Sequence, residues 1–185
     1  MNSKPPLPRR HSLRLPTYDY AQGGAYFITI CGHGRQCLFG RIVGSQMQMN
    51  EIGAAIEEEW FRSPTVRKIV LDAFVVMPNH VHGIVFMDSV GATGRSPGPR
   101  SGLRSASLGS FVGNLKAATT RRVRMLGRAP DRPVWQRNYY EHIIRDDEDL
   151  NAIREYIENN PANWGNDRQN PDVAKTSKPA TIWKI

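Results

Sequence analysis

The sequence predicts an α+β fold of the ferredoxin-like kind: a β-α-β-β-α-β antiparallel sheet with one further helix appended at its C-terminal end. Three observations predict it. Four stretches rich in β-branched and aromatic residues are bounded by Gly, Pro and Asn. Two amphipathic stretches with helical spacing separate the first strand from the second and the third from the fourth. A third amphipathic stretch follows the last strand. At 185 residues the chain is read as one domain with extra loops and tails, long enough to bury a core without staples.

Residues 1–16 are Pro-rich and basic and read as a flexible arm. The domain proper is expected over residues 17–165. Its first strand is A-Y-F-I-T-I-C at 25–31, ended by Gly32 and Gly34, and residues 38–43 could continue as its short hairpin partner. Asn50 is placed to cap a helix running to Arg62, with Ile52, Ala55, Ile56 and Trp60 on one face. Pro64 stops it. Residues 66–74 supply the second strand and residues 80–87 return antiparallel. Residues 88–106 are Gly/Ser/Pro-rich with three arginines and read as a mobile loop. Leu108, Phe111, Val112, Leu115, Thr119, Val123 and Leu126 trace one face of a longer helix, with Arg121 and Arg124 opposite and Lys116 on the flank. Residues 134–144 have strand composition. Asp146 caps a third helix with Asp147, Glu148 and Asp149 in its positive first turn. That helix is expected to stop at Asn160, before Pro161. Residues 166–185 read as a polar tail, and no internal repeat is visible.

The net charge of +8 and a pI near 9.9 point to a polyanionic partner, nucleic acid before an anionic membrane surface. Arg100 and Arg104 in the loop, Lys116, Arg121 and Arg124 on the long helix, and Arg137 are the candidate phosphate contacts; a solvated basic surface would look the same. Cys31 and Cys37 match no zinc or redox spacing and read as reduced thiols of a cytosolic protein. No apolar stretch approaches membrane-spanning length and no apolar signal core is seen, so a cytoplasmic location without a membrane is expected.

The chemistry-bearing stretch is V-V-M-P-N-H-V-H-G-I-V-F-M at residues 75–87. On a strand, residues i and i+2 share a face, so His80 and His82 project together. Paired imidazoles on a rigid strand are a common start for a divalent-metal site, although two histidines can also simply fill a sheet face. On the third helix, Tyr156 and Asn160 are four residues apart and share a face beside Ile153. Two imidazoles and one amide oxygen leave positions open on Mg²⁺ or Mn²⁺ for phosphate oxygens and water. A tyrosine beside such an ion is a candidate nucleophile on phosphorus; taken alone it is a packed helix tyrosine.

Three blocks in order, M-P-N-H-V-H-G-I-V, V-W-Q-R-N-Y-Y-E-H-I-I-R-D-D-E-D-L and R-E-Y-I-E-N-N-P, resemble the single-tyrosine HUH transposases. The likeness is to the REP-associated tyrosine transposases (RAYTs), relatives of small single-strand insertion-sequence transposases, and spans residues 11–164. The resemblance implies that His80 and His82 bind the metal, that Tyr156 is the nucleophile, and that Asn160 is the third ligand. It implies a metal-dependent enzyme that cleaves single-stranded DNA beside a hairpin repeat, retains a 5′-phosphotyrosine and frees a 3′-hydroxyl for rejoining. Tyr139 and Tyr140 rival Tyr156 but lie on an expected strand and read as structural or DNA-stacking residues. His142 reads as a supporting strand histidine. The competing class is a non-catalytic DNA- or RNA-binding module on the same fold, although no RNP-like pattern occurs. Either a monomer or a homodimer fits the sequence.

Overall fold

The computed structural model describes residues 23–66, 69–87, 107–128 and 132–173. The arm at 1–16, the loop at 88–106 with Arg100 and Arg104, and residues 174–185 lie outside the described residues. The elements are β1 (Gly24–Cys31), β2 (Gly40–Val43), β3 (Gln46–Met49), α1 (Glu51–Arg62), β4 (Ile69–Val76), β5 (His80–Met87), α2 (Leu108–Met125), β6 (Tyr140–Ile144) and α3 (Asp147–Asn159). Short 3₁₀ turns occupy His33–Arg35, Ser63–Val66 and Trp164–Asn166.

The main sheet runs β4-β5-β1-β6 with every neighbour antiparallel, which is the ferredoxin-like order and sets β5 inside the sheet. Alternation sorts its side chains. Tyr26, Ile28 and Ile30 of β1 and Val81 and Val85 of β5 join the core under α1 and α2. Phe27 and Ile84 meet Ile144 of β6 and Ile153 and Ile157 of α3 on the opposite face. The appended helix therefore covers the face that α1 and α2 leave open.

Each helix starts on a side-chain cap of the kind that contributes about 1 kcal/mol. Asn50 accepts from the amides of Ile52 and Gly53, Ser107 from Ser110 and Asp146 from Asp149. Trp60, fully buried on α1, stacks on Phe74 at 4.3 Å and meets Phe111 of α2 edge-on at 5.6 Å. Its ring lies over Gly83, where an added Cβ would stand 2.4 Å from the indole. That close approach explains the glycine after His82.

Three expectations need correction. Residues 38–43 do not pair with β1: β2 pairs with β3 in a separate two-stranded sheet, turned at Gly44 and Ser45, both with positive φ (55° and 66°). The second strand is shifted to β4 (Ile69–Val76) rather than residues 66–74, because residues 63–66 form a 3₁₀ turn after α1. The last strand is β6 (Tyr140–Ile144), not residues 134–144. Ahead of it, Lys116 Nζ donates to the carbonyls of Gln136, Arg137 and Asn138 at 2.9, 3.4 and 3.0 Å. Three successive carbonyls aimed at one ammonium cannot alternate as a strand requires. An isolated β-bridge, Gly32 to Trp135, ties this segment to the end of β1, with the His33 amide donating to the Val134 carbonyl and the Gln136 amide to the Cys31 carbonyl, each at 2.9 Å.

Candidate active site

The tight Met77-Pro78-Asn79 turn feeds His80 and His82 onto β5, and both rings are buried against the α3 face. Their Nε2 atoms stand 2.9 Å apart. Each ring is oriented from behind. Asn79 Oδ1 lies 2.8 Å from His80 Nδ1, and Thr29 Oγ1, on the neighbouring strand and directly opposite His82, lies 2.9 Å from His82 Nδ1. Burial holds the imidazoles neutral. It lowers the His82 pKa to about 3 and that of His80 well below its ordinary value, with His82 and then Arg35 adding to the latter.

α3 brings the tyrosine. Tyr156 packs its ring edge-on to Phe27 at 6.1 Å, and its hydroxyl lies 3.4 Å from His82 Nε2. Burial pushes this phenol up to about 12; the Asp167 carboxylate adds to that, while Asn160 and Arg168 oppose it. At the C-cap of α3, Asn160 is buried with its Oδ1 unpartnered among the described residues. Its amide stabilises the ionised forms of both Tyr156 and Asp167.

Asp167 is the residue that sequence reasoning missed. The chain does not leave the domain after α3 but turns through Trp164–Asn166 and comes back over His80. The Trp164 ring lies 6.1 Å from the His80 ring, and Asn79 Nδ2 donates to the carbonyls of Gln169 and Arg35 at 2.7 and 2.9 Å. This return carries a buried Asp167 Oδ2, without a hydrogen-bond partner among the described residues, to 3.6 Å from His80 Nε2. Burial raises the Asp167 pKa, and the Gln169 amide, Asn160 and Arg35 work against it.

Ligand atoms of His80, His82 and Asp167 lie within 4.8 Å of one another. Ligands about 2.1 Å from one ion and at right angles stand about 3 Å apart, so the imidazole separation suits a small divalent cation. Neutral imidazoles and a buried carboxylate oxygen with no hydrogen-bond partner among the described residues make a donor set whose chemistry fits such an ion.

The candidate phosphate contacts gather elsewhere. Lys116, Arg121 and Arg124 of α2 and Arg137, with Arg132 added by the fold, line one groove of about 730 Å³ between α2 and residues 132–137. Lys116 differs from the arginines: its ammonium is occupied by the three carbonyls, and burial lowers its pKa to about 8. Tyr140 lies on the α3 face in the cross-strand row Tyr140–Thr29–His82, two strands from the histidines with β1 between, and is exposed. Tyr139 instead packs on the α1/α2 core. His142 Nε2 pairs with Asp149 at 2.8 Å, joining β6 to the first turn of α3.

The chain is 42% identical over 168 residues to an uncharacterized Haemophilus influenzae protein, covering 86% of this chain and 92% of that one, and belongs to one family with it. A second H. influenzae protein, provisionally named a REP-associated tyrosine transposase, is 26% identical over 150 residues, 80% of this chain and 75% of that protein. A solved structure of a REP-associated tyrosine transposase bound to a REP hairpin shares the fold with a TM-score of 0.57 at 20% identity, covering 84% of this chain and 75% of that one. The likeness to these two proteins points the same way as the resemblance carried by the three sequence blocks. No family model matches it.

Proposed function

We propose that this chain is a metal-dependent single-stranded DNA endonuclease and strand transferase that acts beside hairpin repeats through a 5′-phosphotyrosine at Tyr156. The observation that carries the reading is the Tyr156 hydroxyl, 3.4 Å from His82 Nε2, at the edge of a buried donor set of His80, His82 and Asp167. Asn160 and the two histidines are the set the family resemblance implies; Asp167 is a further donor beside them. Mg²⁺ or Mn²⁺ held there would supply positive charge that favours phenolate and draws electron density from the phosphate.

The protein's own groups do the rest. Phe27 and His82 fix the Tyr156 ring, with His82 also edge-on to it at 5.3 Å. Attack forms the Tyr156 Oη–phosphorus bond and breaks the phosphorus–O3′ bond. The phenolic proton goes to solvent, and the leaving oxygen takes a proton to become a 3′-hydroxyl. Attack on the phosphotyrosine by a 3′-hydroxyl reverses the step and joins ends. The arginine groove is suited to hold the flanking phosphates of the hairpin without reading sequence. In this reading the enzyme acts on chromosomal DNA in the cytoplasm, as a monomer or a homodimer.

The test is a labelled hairpin oligonucleotide with a single-stranded flank, incubated with Mn²⁺ or Mg²⁺ and run on a denaturing gel. Wild type is expected to give a protein–DNA adduct that Tyr156→Phe and His80→Ala do not form. Hairpin binding without an adduct, across repeats drawn from the host genome, would favour the binding-module reading.

A further inference from the structure

The helix that carries Tyr156 is pinned on its other flank by an ion pair set in an irregularity of the sheet. Leu71 pairs with Val85 and Phe74 with Gly83, so Asp72 and Ala73 together oppose Ile84 alone. This is a β-bulge, a device that re-aims a side chain. Leu71 and Phe74, three residues apart, both pack on the α1/α2 core because of the extra residue. The Asp72 carboxylate meets Arg154 of α3 in a two-point fork: Nε to Oδ1 at 2.8 Å and Nη2 to Oδ2 at 2.6 Å. The Ala73 amide also donates to Oδ1 at 2.7 Å, and Arg154 Nη1 reaches Asn151 on its own helix at 3.2 Å.

Ile153 and Ile157 seat α3 on Phe27, Ile84 and Ile144 through apolar contact, which is non-directional and leaves the helix free to roll. At 3.6 residues per turn, Arg154 and Tyr156 fall on opposite sides of that stripe. The fork therefore fixes the roll from the β4 side, and His142–Asp149 pins the first turn from the β6 side. A roll of about 10° moves an atom about 6 Å from the axis by about 1 Å. A misplacement of that size can cost about 100-fold in rate.

We propose that Asp72 and Arg154 are a positioning pair for Tyr156, setting the roll of α3 and so the distance of its hydroxyl from the paired imidazoles. The inference rests on the reading of Tyr156 as nucleophile. Side-chain exposures of 43% for Arg154 and 21% for Asp72 mean that the pair adds little to stability and acts through geometry instead.

The experiment compares Asp72→Asn, Arg154→Met and the exchange of the two residues (Asp72→Arg with Arg154→Asp) in the full chain. One readout needs no chemistry: the ring signal of Tyr156 in ¹³C-tyrosine-labelled protein, assigned by its absence in Tyr156→Phe. The second is the single-turnover rate of adduct formation at saturating hairpin DNA and Mn²⁺. Both single variants are expected to shift the Tyr156 signal and slow the adduct about 10- to 100-fold, with hairpin affinity and melting temperature near wild type. The exchange is expected to restore signal and rate. An unmoved signal and rate overturn the inference. So does a loss that tracks melting temperature and is not regained on exchange. If wild type forms no adduct while the signal follows the pair, positioning stands and the nucleophile reading falls. If wild type forms the adduct while the signal ignores the pair, the reverse holds.

Discussion

Asn79 Oδ1 sits 2.8 Å from His80 Nδ1, and that contact decides which His80 nitrogen is free. The Asn79 amide nitrogen donates to two carbonyls, so its oxygen must face the ring and accept from Nδ1–H. His80 Nε2 then presents a lone pair toward His82 Nε2 at 2.9 Å. A proton on His82 Nε2 or a bound cation must stand between them. Thr29, whose hydroxyl both donates and accepts, serves His82 in either state. Asn79→Ala is therefore expected to weaken Mn²⁺ affinity by about 10- to 100-fold, read by calorimetric titration. Unchanged affinity would remove Asn79 from the site's support.

Acid should destabilise the ion-free protein through the same pair. Both histidines have folded pKa values below the unfolded value of 6.5, that of His82 about 3. Below pH 6.5 the unfolded chain binds the extra protons, so stability is present above that pH and is lost as pH falls. His82 alone gives a slope of about 1.4 kcal/mol per pH unit across that window. Melting temperature in chelator should fall steadily from pH 7 to pH 4. The further stabilisation by Mn²⁺ should vanish over the same range, since only neutral imidazoles bind the ion. A flat profile would mean that the rings are not buried neutral.

Asp167→Asn keeps the side chain's size and removes its charge. It is expected to lower Mn²⁺ affinity by about tenfold or more while the Asp167–Gln169 turn persists through the remaining oxygen. Equal affinity in this variant would restrict the site to the two histidines and Asn160.

Sequence showed the histidine pair because a strand's period of two is unambiguous, and the three helices because their apolar stripes are regular, with Asn50 and Asp146 marking the starts of the first and third. Asp167 left no such signal: a polar segment without periodicity reads the same whether it trails away or folds back. The β2–β3 hairpin was readable in the Gly44-Ser45 pair, since adjacent positive-φ residues suit a two-residue turn. The bulge at Asp72 could be seen only in Leu71 and Phe74 sharing a face at an odd spacing. Lys116 marks a limit of another kind. A basic residue on a helix flank looks alike whether it meets phosphate or, as here, three carbonyls of its own chain.

Gly83 carries a prediction about the fold alone. Gly83→Ala drives a methyl into the Trp60 indole and is expected to cost about 1–3 kcal/mol, read by denaturant melts. In a Trp60→Phe background the penalty should shrink, because the two residues share one contact. Additive losses would mean that the glycine serves another purpose.

The arginine groove makes the salt dependence of hairpin binding its own readout. Neutralising Arg121, Arg124, Arg132 or Arg137 should lower the slope of log K against log salt by about 0.9 per lost contact on duplex stem, or 0.7 on single strand. Lys116→Met should instead lower the melting temperature, because the 136–138 carbonyls lose their shared donor. An unaltered slope across the arginine variants would leave them as solvated surface.

The most direct measurement is the identity of the residue that carries the DNA. Adduct formed with hairpin substrate and Mn²⁺ is digested with nuclease and protease, and the peptide bearing the nucleotide is sequenced by mass spectrometry. The account predicts a 5′-nucleotide on Tyr156 and on no other tyrosine. A nucleotide on Tyr140, which shares the histidines' face one strand beyond Thr29, would contradict it and move the nucleophile from α3 to β6.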